Sequence, residues 1–147
     1  MTMICLGAYQ DWHLHECATL ELISCKGCVV IMKLNHVNLT VTDVPAAAGF
    51  LEKYFGLKKL DTSEDARGDN FRVLFDDNGL VFTLMKGAEV QYPKTFHIGF
   101  IQESEEKVNE INQRLKEDGY KVAPPVRSHG WTFYVKAPGG FTVEVLA

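Results

Sequence analysis

Two histidines, a threonine and a glutamate stand at corresponding places in a chain segment that is written twice. His97, inside the short apolar run Phe96-His97-Ile98-Gly99-Phe100, lies 61 residues after His36, which is near the start of another apolar run. Glu144 lies 61 residues after Thr83, again within two strand-like runs. Imidazole and carboxylate groups around an open site form a recognised arrangement for a divalent metal ion with exchangeable positions. The repeat therefore predicts a metal site formed by both halves.

The alternation within each run sets the face on which these residues lie. Side chains two apart on a strand point the same way, so His36, His97 and Glu144 lie opposite the large apolar side chains beside them, as does Thr83. If the apolar faces pack on helices, the opposite faces of two half-sheets curve around one cleft. A single strand histidine is more often a hydrogen-bonded structural residue, and a single glutamate is more often solvated. Three ligand-type residues at repeat-equivalent places favour metal binding instead.

Each half is predicted to contain a strand, a helix and three further strands. The first half has a strand over 33–41, a helix capped by Thr42 or Asp43 with Pro45 in its first turn, a short strand over 57–61, a loop over 62–69, and a hairpin of 71–75 and 80–85. The second half has a strand over 96–101, a helix from Ser104 to Gly119, a short strand over 121–123 stopped by two prolines, a loop over 126–130, and a hairpin of 131–135 and 142–146. The spacing of the apolar residues and the capping residues support these helices. The order predicts an α+β fold of two tandem βαβββ modules, about 32–88 and 94–147, joined by a linker.

The composition bounds the functional class. The chain has 147 residues, 46% of them hydrophobic and 23% charged, which suits one globular domain. A net charge of −4 gives no basic surface for nucleic acid. No run approaches the roughly 18 apolar residues of a membrane span, and the start lacks the order of a secretory signal. We therefore expect a cytoplasmic protein with neither nucleic acid nor a membrane as partner.

All the cysteines precede the repeated part. They are Cys5, Cys17, Cys25 and Cys28. The spacing of the last two is typical of metal or redox motifs, but a structural zinc site usually shows two such pairs, so we expect neither. We expect residues 1–31 to form an extension outside the domain, for example a non-native leader, with Met32-Lys33 as the natural start.

The sequence resembles the vicinal oxygen chelate superfamily at these positions. The resemblance rests on His36-Val37-Asn38-Leu39-Thr40-Val41-Thr42-Asp43-Val44, on Phe55-Gly56-Leu57, on 96–100 and on Ala137-Pro138-Gly139-Gly140-Phe141-Thr142-Val143-Glu144-Val145. It covers about residues 32–147. This superfamily includes glyoxalase I, extradiol dioxygenases, fosfomycin-modifying enzymes and bleomycin resistance proteins. The resemblance implies a curved-sheet cleft, a homodimer whose modules pair within or between chains, and metal ligands at His36, His97 and Glu144.

Departures from individual members leave the reaction open. Glyoxalase I would be expected to have a second carboxylate where Thr83 stands, and a threonine cannot act as that general base. Extradiol dioxygenases are typically longer and carry a further histidine and tyrosine near the metal, for which His129 and Tyr134 are loose candidates. Fosfomycin transferases would be expected to have threonine in place of Asn38 and a serine-rich loop where residues 125–130 contain one serine.

These residues lead to a hypothesis of a metal-dependent enzyme. A divalent ion (Mn, Fe, Ni, Zn or Mg) would polarise a small-molecule substrate with neighbouring oxygens. One alternative is a non-catalytic module that sequesters a drug or metabolite in the same cleft, and another is an interaction protein whose cleft is filled by its own side chains. The sequence leaves open whether the site lies in one chain or is shared across a dimer.

Five further residues are candidates for substrate binding. Arg127 would hold an anionic group, although a surface arginine in a polar loop is the simpler interpretation. Trp131 and Tyr134 would form an apolar wall, unless they belong to the core of the hairpin. Asn38 and Thr83 would lie on the same face as His36.

Overall fold

In the computed structural model of this protein, the described residues are 33–60 and 65–147, with side chains described from residue 68 in the second range. The elements are β1 (His36–Val41), α1 (Val44–Phe55), β2 (Lys58–Lys59), a 3-10 segment (Asp65–Asn70), β3 (Phe71–Phe75), β4 (Val81–Lys86), β5 (Ile98–Ile101), α2 (Glu105–Glu117), β6 (Val126–Arg127), β7 (Trp131–Lys136) and β8 (Thr142–Leu146). The extension predicted over 1–31, with all the cysteines, lies outside the described residues. Neither α1 nor α2, the two α-helices of the described part, is long and apolar enough to cross a membrane.

The strands form two four-stranded sheets of the same design. The strand order is β1-β4-β3-β2 in the first half and β5-β8-β7-β6 in the second half. The first strand of each half pairs in parallel with the last, and the remaining pairs are antiparallel. The expected α+β fold with two tandem modules is therefore confirmed. Among the described strands, β1 and β5 are edges, since each pairs with another of these strands along one side only.

The helices begin where their capping residues predict. Asp43 accepts a hydrogen bond from the Ala46 amide at 2.9 Å, and Pro45 lies in the first turn of α1. Ser104 accepts one from the Lys107 amide at 3.4 Å at the start of α2. An N-terminal cap of this kind contributes about 1 kcal/mol to helix stability. Each helix packs on one face of its own sheet, and neither α1 nor α2 covers the opposite face.

The core lies between each sheet and its helix. Alternate strand residues point into it, so that their neighbours in sequence point to the other face. The fully buried members include Leu39, Leu51, Leu74, Leu84, Leu115, Phe141, Val143 and Val145. This alternation fixes which side chains are available on the free face of each sheet.

Aromatic and polar contacts join the two halves. The Phe55 ring at the end of α1 stacks on Phe100 of β5, with ring centroids 4.3 Å apart. The Tyr54 hydroxyl donates a short hydrogen bond to Asp118, and Lys53 forms an ion pair with the same carboxylate at 2.8 Å. Gly139 has a φ of 87°, and a Cβ there would lie 2.7 Å from Val41 Cβ, so the turn before β8 needs glycine to approach β1.

One strand prediction is wrong. Residues 121–123 are not a strand; the short edge strand is Val126–Arg127, which the sequence predicts as loop. The physical reason is local. The carbonyl of Ala123 accepts a hydrogen bond from the buried Asn112 side chain at 2.8 Å, and Pro124-Pro125 supplies no backbone N–H for a ladder. In the first half, β2 is also shorter than predicted, at Lys58–Lys59.

Candidate metal and substrate site

The free face of the second half carries a group of titratable side chains around one buried carboxylate. Glu144 on β8 is 4% exposed although it points away from the core. The side chains around it come from three parts of the same half. They are His97 just before β5, His129 in the loop after β6, and Thr132 and Tyr134 on β7.

Each Glu144 oxygen has its own partners. His129 Nε2 lies 2.8 Å from Oε1, and the Thr132 hydroxyl donates to the same oxygen at 2.9 Å. His97 Nε2 lies 3.2 Å from Oε2. These contacts hold the carboxylate in one orientation on the sheet surface.

The hydrogen bonds of His97 indicate what its facing nitrogen can bind. Nδ1 lies 2.9 Å from the carbonyl oxygen of Thr95, which can only accept, so Nδ1 carries the hydrogen. In the neutral ring Nε2 then presents a lone pair toward Glu144 Oε2. Two lone pairs at this separation require a cation between them, either a proton on the ring or a metal ion. The donor chemistry of this pair therefore fits a divalent metal.

Glu144 is held in its ionised form. Burial raises the pKa of its carboxyl, but hydrogen bonds from Tyr134 and Thr132 and the nearby imidazoles of His129 and His97 outweigh burial, so that the net pKa is lowered. The hydrogen bond to Glu144 in turn raises the pKa of the Tyr134 hydroxyl, together with burial. A carboxylate that is charged at neutral pH is the form that a metal ion needs.

The third predicted ligand, His36, lies on edge strand β1 of the first half. Its Nδ1 is 3.1 Å from Asn35 Oδ1, and in the neutral ring with its hydrogen on Nδ1 the other nitrogen, Nε2, presents a lone pair. His36 is exposed and shares no hydrogen bond with the Glu144 group. Within residues 33–60 and 65–147 of one chain, no group of three or more His, Cys, Asp or Glu side chains is placed to hold a metal ion. One chain thus brings His97 and Glu144 together but does not add His36.

The remaining substrate-site candidates divide between the two faces of the sheets. Asn38 and Thr83 share the free face of the first half, where the Thr83 hydroxyl donates to Asn38 Oδ1 at 2.7 Å. Tyr134 lies beside His97, with ring centroids 5.4 Å apart and the rings nearly perpendicular. Arg127 and Trp131 face α2 instead: Arg127 pairs with Glu105 at 2.5 Å, and Trp131 Nε1 donates to Asn109 at 2.9 Å.

Sequence reasoning misses part of this group. The repeat does not single out Thr132, although it lies two residues before Tyr134 on one strand and so shares its face. Lys136, two residues after Tyr134, shares that face for the same reason. His129 is only a loose candidate because it lies in a loop, where spacing does not set direction.

A large cavity borders His97 on the side of the first half. Its volume is about 630 Å³, and aromatic side chains form much of its wall, with Asp76, Asp77 and Asn78 also lining it. The aromatic residues are Phe55, Phe82, Phe96 and Phe100. Apolar cavities of this size with a few polar groups are typical small-molecule sites.

Comparison with known proteins points to one family. Residues 33–145 match the model of the Glyoxalase/Bleomycin resistance protein/Dioxygenase superfamily. A solved structure described as a possible glyoxalase from Bacillus cereus is 61% identical, with a TM-score of 0.73, and the match covers 80% of this chain and all of that one. A further solved structure is a point mutant of FosX, the fosfomycin resistance protein of Listeria monocytogenes, complexed with Mn(II) and 1S,2S-dihydroxypropylphosphonic acid. It is 25% identical, has a TM-score of 0.67, and the match covers 80% of this chain and 93% of that one.

A curated relative has a more specific description. The probable trivalent organoarsenical cleaving enzyme of Bacillus subtilis is 33% identical over 89 residues. That match covers 60% of this chain and spans only 58% of the length of the relative.

Proposed function

We propose that this chain, which belongs to the Glyoxalase/Bleomycin resistance protein/Dioxygenase superfamily, is a metal-dependent enzyme acting on a small molecule with neighbouring oxygens. In this proposal His36, His97 and Glu144 hold the divalent ion. The observation that carries it is the 3.2 Å approach of His97 Nε2 to Glu144 Oε2. In the neutral His97 ring, this approach directs two lone pairs at each other, so that a cation is needed between them. The Mn(II) of the FosX complex supports a divalent ion in a related fold.

The position of His36 supports a site completed by a second copy of the chain. His36 lies on β1 and His97 directly precedes β5, and both are edge strands. If β1 of one copy lies along β5 of another, the two free faces join and His36 approaches His97 and Glu144. This pairing would also cover Leu34 and Ile101, which are 71% and 80% exposed at these edges. A two-fold axis then produces two equal sites per cytosolic homodimer.

The residues around Glu144 would have separate tasks. Thr132 and His129 orient the carboxylate through Oε1, which leaves Oε2 directed toward His97. The Thr95 carbonyl fixes the His97 tautomer through Nδ1. Partners of this kind typically change metal affinity by about 10-fold to 100-fold when they are removed. When bound, the ion would act as a Lewis acid toward substrate oxygens.

The ligand chemistry of the described residues supports one substrate class over another. Trivalent arsenic is a soft centre that binds thiolates, and residues 33–147 contain no cysteine. Carboxylate and imidazole ligands suit an ion that binds oxygen atoms of a substrate. We therefore favour an oxygen-rich substrate over the organoarsenicals for which the Bacillus subtilis relative is named.

The cavity supports a second candidate function. Its aromatic wall would bind a planar drug or metabolite without chemistry, as a bleomycin resistance protein would. The two functions differ in their need for metal. Removal of metal would abolish turnover by the enzyme but leave ligand binding by a sequestering protein intact.

The first experiment measures metal content after anaerobic purification and after exposure to Mn, Fe, Ni, Zn or Mg. We expect one ion per chain in the wild type. Glu144→Gln should lower the affinity at least about 100-fold, since it removes a ligand rather than a supporting partner. Thr83→Val changes the repeat-equivalent residue and should leave the metal content unchanged. A wild type that stays empty in all five metals would refute the metal-dependent enzyme.

A complementation experiment tests the shared site. His36→Ala and Glu144→Gln should each lack metal as separate proteins. A heterodimer of the two variants has one site with all ligands intact and one site with two ligands missing. We expect one ion per heterodimer, with turnover of a substrate identified by screening. A heterodimer without metal, alongside a loaded wild type, would show that each site lies within one chain.

A further inference from the structure

A second cavity, of about 450 Å³, opens on the free face of the second half on the other side of His97. Lys94 and Lys136, each of which carries an ammonium group, are among the residues that line it. Tyr134 and Thr142, which carry hydroxyls, also line it, and no described aspartate or glutamate is part of its wall. The cavity thus joins positive charge and hydrogen-bond donors directly beside a proposed metal ligand.

The alternation of β7 and β8 explains why Lys136 points here. In the ladder Tyr134 lies opposite Glu144, and Lys136 lies opposite Thr142. All four therefore share the free face. The Lys136 ammonium donates to Thr142 Oγ1 at 2.7 Å. Lysine has three N–H donors, so two remain for a ligand, and the Thr142 hydroxyl, which accepts from Lys136, keeps its own hydrogen to donate.

The charge of the two lysines is not balanced within the described part of the chain. Neither Lys94 nor Lys136 forms an ion pair with a described residue. Arg127, the residue that the sequence suggests for anion binding, is paired with Glu105 on the opposite face. Glu144, two residue pairs along the ladder from Thr142, is in contact with His97 and His129. The unpaired positive charge on the free face is therefore next to the proposed metal site.

We propose that this cavity binds an oxyanion group of the substrate, either a carboxylate or a phosphate-type group, through Lys136, Thr142 and Lys94. The inference rests on the proposed function only in assigning the anion to the substrate of that site. The first half has Phe75 and Val81 at the places that correspond to Lys136 and Thr142. The anionic end of the substrate therefore lies over the second half.

The experiment uses metal-free protein, so that the probe cannot bind a metal ion. Inorganic phosphate and acetate are titrated separately, and the amide signals of Lys136 and Thr142 are followed by NMR. We expect saturable binding of at least one probe. Lys136→Gln should weaken it about tenfold, which is the loss of one charge-assisted hydrogen bond. Lys94→Gln and Thr142→Val should each weaken it about threefold. Lys121→Gln, an exposed lysine of the same half outside the cavity, is the matched control and should bind as the wild type does.

The outcomes separate this inference from the proposed function. Metal content is measured on the same variants, and Lys136→Gln should load metal normally. Normal metal loading without saturable binding of either probe overturns the oxyanion site alone. Equal weakening by Lys136→Gln and Lys121→Gln also overturns it, because binding would then depend only on total charge. Specific loss in Lys136→Gln supports the site even if the wild type holds no metal.

Discussion

The two halves share strand order and side-chain direction but differ in the chemistry of their free faces. In the second half, Tyr134, Lys136 and Thr142 share the free face with the buried Glu144 and bring hydroxyl and ammonium groups to it. The corresponding places in the first half hold Val73, Phe75 and Val81. Because strand direction is the same in both, the difference comes from residue type alone. The two halves thus have equivalent positions, and at these three positions only the second half carries polar side chains.

The helices show the same kind of difference inside the core. Leu51 of α1 and Asn112 of α2 occupy corresponding places and are both almost fully buried. Leu51 packs among apolar side chains, whereas the Asn112 amide donates to the carbonyl of Ala123 at 2.8 Å. The buried amide thereby holds the segment before β6 in place.

Truncation of Leu51, the apolar residue of this pair, should have the largest effect on the free energy of unfolding. Leu51→Ala removes buried methyl groups and leaves a cavity, which should lower the free energy of unfolding by about 2–5 kcal/mol. Urea denaturation monitored by circular dichroism would measure this. The neighbouring exposed residue provides the control, since Glu52→Ala should change stability by less than about 0.5 kcal/mol. A similar loss in both variants would contradict the packing assigned to Leu51.

The polar member of the pair should matter less, and through a different cause. Asn112→Ala leaves the Ala123 carbonyl without its donor, which should cost about 1–3 kcal/mol. Asn112→Leu installs the residue of the first half but leaves the same carbonyl unpaired, so it should not restore stability. The same denaturation experiment compares both with the exposed variant Gln113→Ala. If Asn112→Leu were as stable as the wild type, the hydrogen bond to Ala123 would contribute nothing.

Much of this architecture was predictable because it depends on local patterns. Period-two alternation placed Glu144 on the face opposite the apolar side chains beside it, and the capping residues Asp43 and Ser104 marked the helix starts. The strand predicted over 121–123 failed because the pattern does not show that Asn112, a residue of α2, takes the carbonyl of Ala123. A side-chain contact between distant segments overrode a short apolar run.

The candidate site was less predictable than the fold. Spacing of ligand-type residues was enough to select His97 and Glu144, which lie 3.2 Å apart at their nearest atoms. Spacing did not predict the direction of the Arg127 side chain, which points from a two-residue edge strand toward Glu105. His36 could not be placed beside a His97 and a Glu144 from one chain, if the residues that it joins belong to another copy.

A third corresponding pair reverses the comparison and should give the smallest effect. Tyr54 of α1 corresponds to Leu115 of α2, so here the first half holds the polar group, whose hydroxyl bonds to Asp118. Burial, followed by this hydrogen bond and the Asp118 charge, raises the Tyr54 pKa above its ordinary value of 10.0. At neutral pH, Tyr54→Phe should cost about 0.5–1.5 kcal/mol, the net contribution of one hydrogen bond.

The raised pKa of Tyr54 also predicts how the stability of the protein changes with pH. Since the folded pKa of Tyr54 is the higher one, its contribution is complete below pH 10.0 and is lost as the pH rises toward the folded pKa. The unfolded chain releases the proton first, so wild-type stability should fall with pH above about 10. Tyr54→Phe should flatten this decline, and Asp118→Asn should flatten it in part, since it removes the Asp118 charge but not the burial of Tyr54. Lys53→Gln keeps the bond between Tyr54 and Asp118 and should leave the decline steep. Urea denaturation at about pH 8 and at several pH values above about 10 measures how the free energy of unfolding falls with pH. An unchanged slope in Tyr54→Phe would mean that another group causes the loss of stability at alkaline pH.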